Sequence, residues 1–279
     1  MSRMLSLIGF LILLSLPLAA QQRIISLAPH TTELIYALGA GNRLVAVSDY
    51  SNYPQKAAKL PSVANHIGVN FEKIIRLKPD LIVAWQGGNK PQDLAKLASL
   101  GFSLYLSNPQ HPIDIAQDMQ ALGERIGKAG AGKKLSDAFI TSLNRLKAKY
   151  ASQPKVSVFY YLWPAPMMTV GKEAWASHLL TLCGATNIFA DSGIPYPQVN
   201  IEQIARRHPQ KIIAAINISL QDARTFWQAK RGVITAPLAV VNPDVLHRFT
   251  PRLLGGLSSL CKLIHTNYEV NGYTGKPAN

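Results

Sequence analysis

The chain has little acidic charge, little cysteine and no familiar catalytic signature, and each shortage narrows what it does. Fifteen acidic residues stand against 29 basic ones, a net charge of +14. Such an excess invites a nucleic-acid or anionic-membrane reading, but the basic residues are scattered. Lys56, Lys59, Lys73, Arg76 and Lys78 sit among apolar helix positions, and Lys133, Lys134, Arg145, Lys147 and Lys149 line one solvated helix. No basic, aromatic-interleaved groove emerges, so no nucleic-acid partner is expected and the charge reads as solubility. G-x-S-x-G, H-E-x-x-H and C-x-x-C are all missing, so no enzyme class and no catalytic residue is nominated. "GKAGAGKK" (127–134) imitates a phosphate-binding loop, yet its last position is Lys134 instead of Ser or Thr, and no strand precedes it. Seven dispersed histidines give no metal-ligand spacing.

One apolar run is present, Met4 to Leu18, after Arg3 and before Ala19, Ala20 and a polar Gln21–Gln22. It is shorter than the roughly 20 residues a bilayer span needs, and the pattern is that of a secretory signal peptide at 1–20, which sends the chain to the periplasm. No later stretch is long and apolar enough to cross a membrane. Two cysteines follow, Cys183 and Cys261. In an oxidising compartment the expected state is one disulfide; two buried thiols are the alternative.

Short apolar strands then alternate with helices: "RIISL" from Arg23, "LVAVS" from Leu44, "LIVAW" from Leu81 and "FSLYLS" from Phe102. Thr31 or Thr32 is a candidate cap for the first helix. Alternation of this kind makes a mostly parallel sheet with helices on its faces. The pattern breaks where Leu135, Phe139, Leu143, Leu146 and Tyr150 recur at spacings of three and four, an amphipathic helix. "KVSVFYYL" from Lys155 restarts the alternation. The expected fold is therefore α/β: two Rossmann-like lobes with mostly parallel sheets, joined by one long bridging α-helix. The expected divisions are an N-terminal lobe at 21–128, the bridge at 129–152, a C-terminal lobe at 153–265 and a tail at 266–279. A packed helical bridge resists bending and predicts small closure on binding, with the site between the lobes at the carboxyl ends of the strands.

One sentence is written twice. "NFEKIIRLKPDLIVA" begins at Asn70 and "NIEQIARRHPQKIIAA" at Asn200. Each Asn is a candidate N-cap, placing Glu72 and Glu202 in a first helical turn where a carboxylate complements the helix dipole. Aromatics stand just past strand ends: Tyr50, Trp85, Tyr161, Trp163 and, between two prolines, Tyr196. Rigid rings on Gly- and Pro-flanked loops suit a large, flat, mostly apolar ligand.

These blocks, in order from "RIISLAPHTTELIYALGAG" through "VAVSDYSNYP", "AWQGGN", "LCGATNIFADSGIPYPQVNIEQI" and "TPRLL", resemble the periplasmic cobalamin-binding family, the substrate-binding components of vitamin B12 ABC importers. The first block is shared with binders of haem and iron-siderophores; "YSNYP", "AWQGGN" and "PYPQV" are more specific. The resemblance implies a monomeric carrier with no cofactor, cobalamin being its cargo, and a membrane permease as its partner. It places ligand contacts on Tyr50, Trp85, Trp163 and Tyr196 and on the loop Asp244, Val245, Leu246, His247 and Arg248. It makes Glu72 and Glu202 a two-point dock for the permease. The interior of the loop, Val245–Leu246–His247, and the surroundings of Trp163 depart from the family's version. Those departures motivate an alternative cargo on the same fold: haem, an iron-siderophore or another corrinoid such as cobinamide. His247 is expected to face solvent, since cobalamin brings its own lower base to cobalt.

Overall fold

The structure is a computed structural model that describes residues 22–230, 234–266 and 270–271. The expected signal peptide and most of the expected tail lie outside the described residues. In the N-terminal lobe, β1 (Ile24–Ser26), β2 (Leu44–Ser48), β3 (Ser62–Asn65), β4 (Gly68–Val69), β5 (Leu81–Trp85) and β6 (Leu104–Ser107) form one sheet. Its order is β4-β3-β2-β1-β5-β6, and every pairing except β3 with β4 is parallel. Helices α1 (Pro29–Ala37), α2 (Phe71–Leu77), α3 (Pro91–Ser99) and α4 (Asp114–Arg125) cover it. The central strands are apolar on both faces because both faces are covered: Ile24, Ile25, Leu81, Ile82 and Val83 are all fully buried.

The bridge is α5 (Ala129–Ala151), 23 residues and so about 34 Å long. Phe139, Leu143 and Tyr150 of its apolar stripe are buried in the main core, with Leu135 and Leu146 packed against it. Two glycines of the imitation phosphate loop have a structural role here. A Cβ on Gly132 would sit 2.7 Å from the Met119 carbonyl, so its absence lets α4 and α5 approach closely, and Gly127 turns the chain between them at φ +68.

The C-terminal lobe repeats the plan with β7 (Val156–Pro164), β8 (Met167–Thr169), β9 (Ala185–Asn187), β10 (Lys211–Ala214), β11 (Leu238–Val240) and β12 (Val270–Asn271). The order is β12-β11-β10-β7-β8, with β9 pairing the first half of β7. Helices α6 (Trp175–Leu182), α7 (Ile201–Arg206), α8 (Leu220–Gln228), α9 (Pro243–Leu246) and α10 (Leu253–Ile264) flank it. The disulfide is formed: Cys183, at the end of α6, joins Cys261 in α10. The two-lobed α/β fold with one bridging helix is the fold read from the sequence.

One expectation needs correction. Neither Thr31 nor Thr32 caps α1: the cap position is Ala28, with Pro29 as the first helical residue. Both hydroxyls donate backward to the Ala28 carbonyl, at 2.9 and 3.2 Å. They belong to a buried hydroxyl chain in which Thr32 also meets Ser26 and Ser51, and Ser51 meets Ser48. That chain ties the ends of β1 and β2 together beneath the turn that carries Tyr50.

Candidate functional site

Parallel pairing sends the carboxyl ends of β1, β2 and β5 to one edge of the first sheet, and those of β7, β10 and β11 to one edge of the second. The two edges face each other, as contacts between the loops leaving them show. Phe249, beyond β11, packs against Trp85 at 5.5 Å and His30 at 5.0 Å between ring centroids, and against Trp175 of its own lobe at 4.5 Å. Aromatic rings from both lobes thus form one edge-on cluster at the meeting of the strand ends.

Tyr50 follows β2 in the left-handed conformation (φ 62) with its side chain 77% exposed. A tyrosine costs about 1–2 kcal/mol there, and such strain persists only where neighbours fix it. Here the fixing groups are the Ser48–Ser51 hydroxyls and the Arg248 guanidinium, which donates to the Tyr50 carbonyl at 3.2 Å. Trp85 closes β5 half-buried; its backbone N–H donates to Asn89 Oδ1 at 2.7 Å, and Asn89 Nδ2 donates to the Leu27 carbonyl at the end of β1. On the other lobe, Trp163 is 57% and Tyr196 49% exposed. One antiparallel ribbon carries both: β7 pairs with β8 through Trp163 and Met168, and Met168 bridges Gln198.

The five residues expected as a loop begin as helix, since Asp244, Val245 and Leu246 belong to α9 and His247 is its C-cap. Asp244 and Val245 are half-buried, and Val245 lines a cavity of about 500 Å³ with Asn242, Arg252, Gly255 and Ser259. Leu246 borders the same cavity but lies in the core, its carbonyl accepting from the Trp175 indole at 2.7 Å. His247, expected to face solvent, is half-buried: its Nε2 meets the hydroxyl of buried Tyr160 at 2.9 Å, and burial of the ring holds its pKa down to about 4. Arg248 is 9% exposed and paired to Glu33 at 2.9 Å.

Sequence reading missed Glu33, Arg252, Phe249 and His30. Glu33 offered a signal, being a lone acid within the apolar stretch "TTELIYAL". His30 is buried and bonded to Ser107, which donates to Asp118; burial first, then the Arg248 charge, lowers its pKa to about 3. Among the described residues no group of three or more His, Cys, Asp or Glu converges as a metal site. Two histidines, His111 and His178, do meet across the lobes at 4.3 Å.

The repeated stretches fold alike. Asn70 Oδ1 accepts from Lys73 N at 2.9 Å, and Asn200 Oδ1 from Gln203 N at 2.8 Å within a full capping box. Glu72 and Glu202 are both exposed in first turns, each two residues before a fully buried isoleucine, Ile74 or Ile204. Each helix ends before a left-handed residue, Lys78 or, after one more residue, His208, and a proline.

Two α/β lobes on a helical bridge, meeting edge to edge over a cluster of rings, define a ligand-capturing protein, and the chain belongs to the periplasmic binding protein family, whose profile matches residues 24–233. Among its relatives is the vitamin B12-binding protein of Vibrio cholerae serotype O1, 43% identical over 251 residues that cover 89% of this chain and 91% of that protein. The crystal structure of periplasmic vitamin B12-binding protein BtuF of Vibrio cholerae superposes with a TM-score of 0.81 at 42% identity, covering 87% of this chain and 96% of the other. A periplasmic haem-binding protein of Pseudomonas aeruginosa, 22% identical with a TM-score of 0.77 over 92% of this chain and 95% of its own, shares the fold.

Proposed function

We propose that this chain is a periplasmic carrier that captures cobalamin between its lobes and hands it to the permease of an ABC importer, without catalysing a reaction. The observation that carries this reading is rigid rings on both lobes, exposed Tyr50 and half-buried Trp85 on one and exposed Trp163 and Tyr196 on the other, in a chain 43% identical to a vitamin B12-binding protein. A corrin is broad, flat and apolar on its faces with polar amides at its rim, and such rings bury its faces at little entropic expense. Asp244 and Val245 face the ligand from the C-terminal lobe, while Leu246, His247 and Arg248 hold that loop from behind.

In this reading residues 1–20 are the export signal, cleaved near Ala20. Residues 21–128 and 153–265 are the two lobes, 129–152 the bridge and 266–279 the tail. Glu72 and Glu202, one on each lobe, are the permease contacts, since a matched pair of exposed carboxylates sets registry and encounter rate with a basic partner. The carrier acts as a monomer. Native mass spectrometry with equimolar cyanocobalamin, cobinamide and haemin tests the cargo. The cyanocobalamin complex is expected to dominate; preferential retention of haemin would overturn the assignment.

A further inference from the structure

Glu33, on α1 of the N-terminal lobe, has a side chain 2% exposed and uses both its oxygens on arginines of the other lobe. Oε1 accepts from Arg248 Nη1 at 2.9 Å and from Arg252 Nη2 at 2.6 Å, and Oε2 accepts from Arg252 Nε at 2.8 Å. Arg248 gives its other donors to Asn52 Oδ1 at 2.7 Å, the Tyr50 carbonyl at 3.2 Å and Asp244 at 3.3 Å. The Arg252 guanidinium lies over the Tyr53 ring at 3.8 Å. One buried carboxylate therefore joins the turn 50–53 of the first lobe to the segment 244–252 of the second.

Charge-assisted pairs between a carboxylate and guanidinium forks are strongly directional. Buried, such a cluster contributes mainly a fixed arrangement, because desolvation offsets most of its attraction. Removing its central carboxylate leaves Arg248 with only the more exposed Asp244 at 3.3 Å and takes from Arg252 the carboxylate that holds it, so the link between the lobes is lost. We infer that Glu33 is a positioning residue for the ligand: through Arg248 it fixes the strained Tyr50 turn, and through both arginines it presets the separation of the lobes. The proposal rests on the cobalamin reading of the cleft only for the identity of the ligand. A cleft set in advance to its bound width binds more tightly because less ordering remains to be done on binding.

The test uses the exported chain with Glu33→Gln, which keeps the side chain's size and removes its charge. Cyanocobalamin affinity is expected to fall at least about tenfold, chiefly through faster release. Spin labels at Lys90→Cys and Lys172→Cys, one on each lobe, should report a narrow distance distribution in the parent and a broad one in Glu33→Gln. Tyr50→Ala should weaken binding much less in the Glu33→Gln background than alone, since the ring is already misplaced; a merely structural role for Glu33 predicts additive losses. Unchanged distances or additive losses would overturn the proposal. Arg252→Gln, which removes one of the two arms, should shift distances and affinity in the same direction by less, and serves if Glu33→Gln does not fold; no change in that variant overturns the proposal equally. Should the parent bind no cobalamin, the ligand assignment fails, and the spin-label distances alone decide whether Glu33 sets the cleft.

Discussion

Gly88→Ala is expected to disable the cleft while leaving the protein folded. A Cβ built on Gly88 falls 1.9 Å from Cε3 and 2.2 Å from Cζ3 of Trp85, whereas ordinary carbon contacts begin at about 3.5 Å. The indole therefore has to move by about 1.5 Å or leave its rotamer, which costs about 0.5–1.5 kcal/mol. Either response removes it from His30 and Phe249, its partners at 5.4 and 5.5 Å. Losing a buried tryptophan contact commonly costs about 2 kcal/mol of binding, so cyanocobalamin affinity should drop ~30-fold. Global stability should change by less than about 1 kcal/mol, because alanine also restricts the unfolded chain. Gly87→Ala, whose Cβ would lie 3.0 Å from the indole Nε1, should have a smaller effect in the same direction. Gly130→Ala, in open space on α5, is the control: it should stabilise by about 0.5–1 kcal/mol without touching affinity. Isothermal titration and tryptophan fluorescence read both quantities. A folded Gly88→Ala protein that binds as tightly as the parent would refute the reasoning.

Replacing Cys183 and Cys261 by alanine opens a cross-link that spans 78 residues, for which chain entropy gives an upper figure of ~4.5 kcal/mol. Thermal melting should fall by about 10 °C; a fall of only a degree or two would contradict this. Burial, joined at His30 by the Arg248 charge, holds the folded pKa of His30 down to about 3 and that of His247 down to about 4, both below the usual 6.5 of a histidine. Above pH 6.5 they are neutral in both states and neutral to stability. Below it the unfolded chain takes up protons that the fold refuses, so stability should drop by about 1.4 kcal/mol per histidine per pH unit down towards pH 4. Urea melts at pH 7 and pH 5 measure the loss, and imidazole resonances of these residues that titrate near 6.5 would exclude it. Glu72→Ala combined with Glu202→Ala should leave affinity within about twofold while abolishing transfer to the permease in proteoliposomes. A tenfold loss of affinity in solution would remove the docking role.

The fold was legible in the sequence because its signals are local. Strand runs such as "LIVAW", the three-and-four spacing of Leu135 to Tyr150, and the paired Asn-x-Glu helix starts each depend on near neighbours in the chain. Thr31 and Thr32 misled because a hydroxyl at a helix start has two outlets, and here both donate to a carbonyl one turn back instead of accepting from an exposed N–H. Trp163 and Tyr161, read as lying past a strand end, stand within β7, Tyr161 fully buried, while the loop positions of Tyr50 and Tyr196 and the strand-end position of Trp85 were legible. The buried half of the site was not, because Glu33 meets Arg248 across 215 residues of sequence and no local pattern encodes that pairing. His247 likewise reads as a polar loop residue until Tyr160 is seen beneath it.

The most direct measurement of the central claim is isothermal titration of the exported chain with cyanocobalamin at neutral pH. The account predicts a single site per chain, with a dissociation constant of about 1 μM or tighter. No heat of binding at micromolar protein and excess cyanocobalamin, from a preparation shown to be folded, would contradict it.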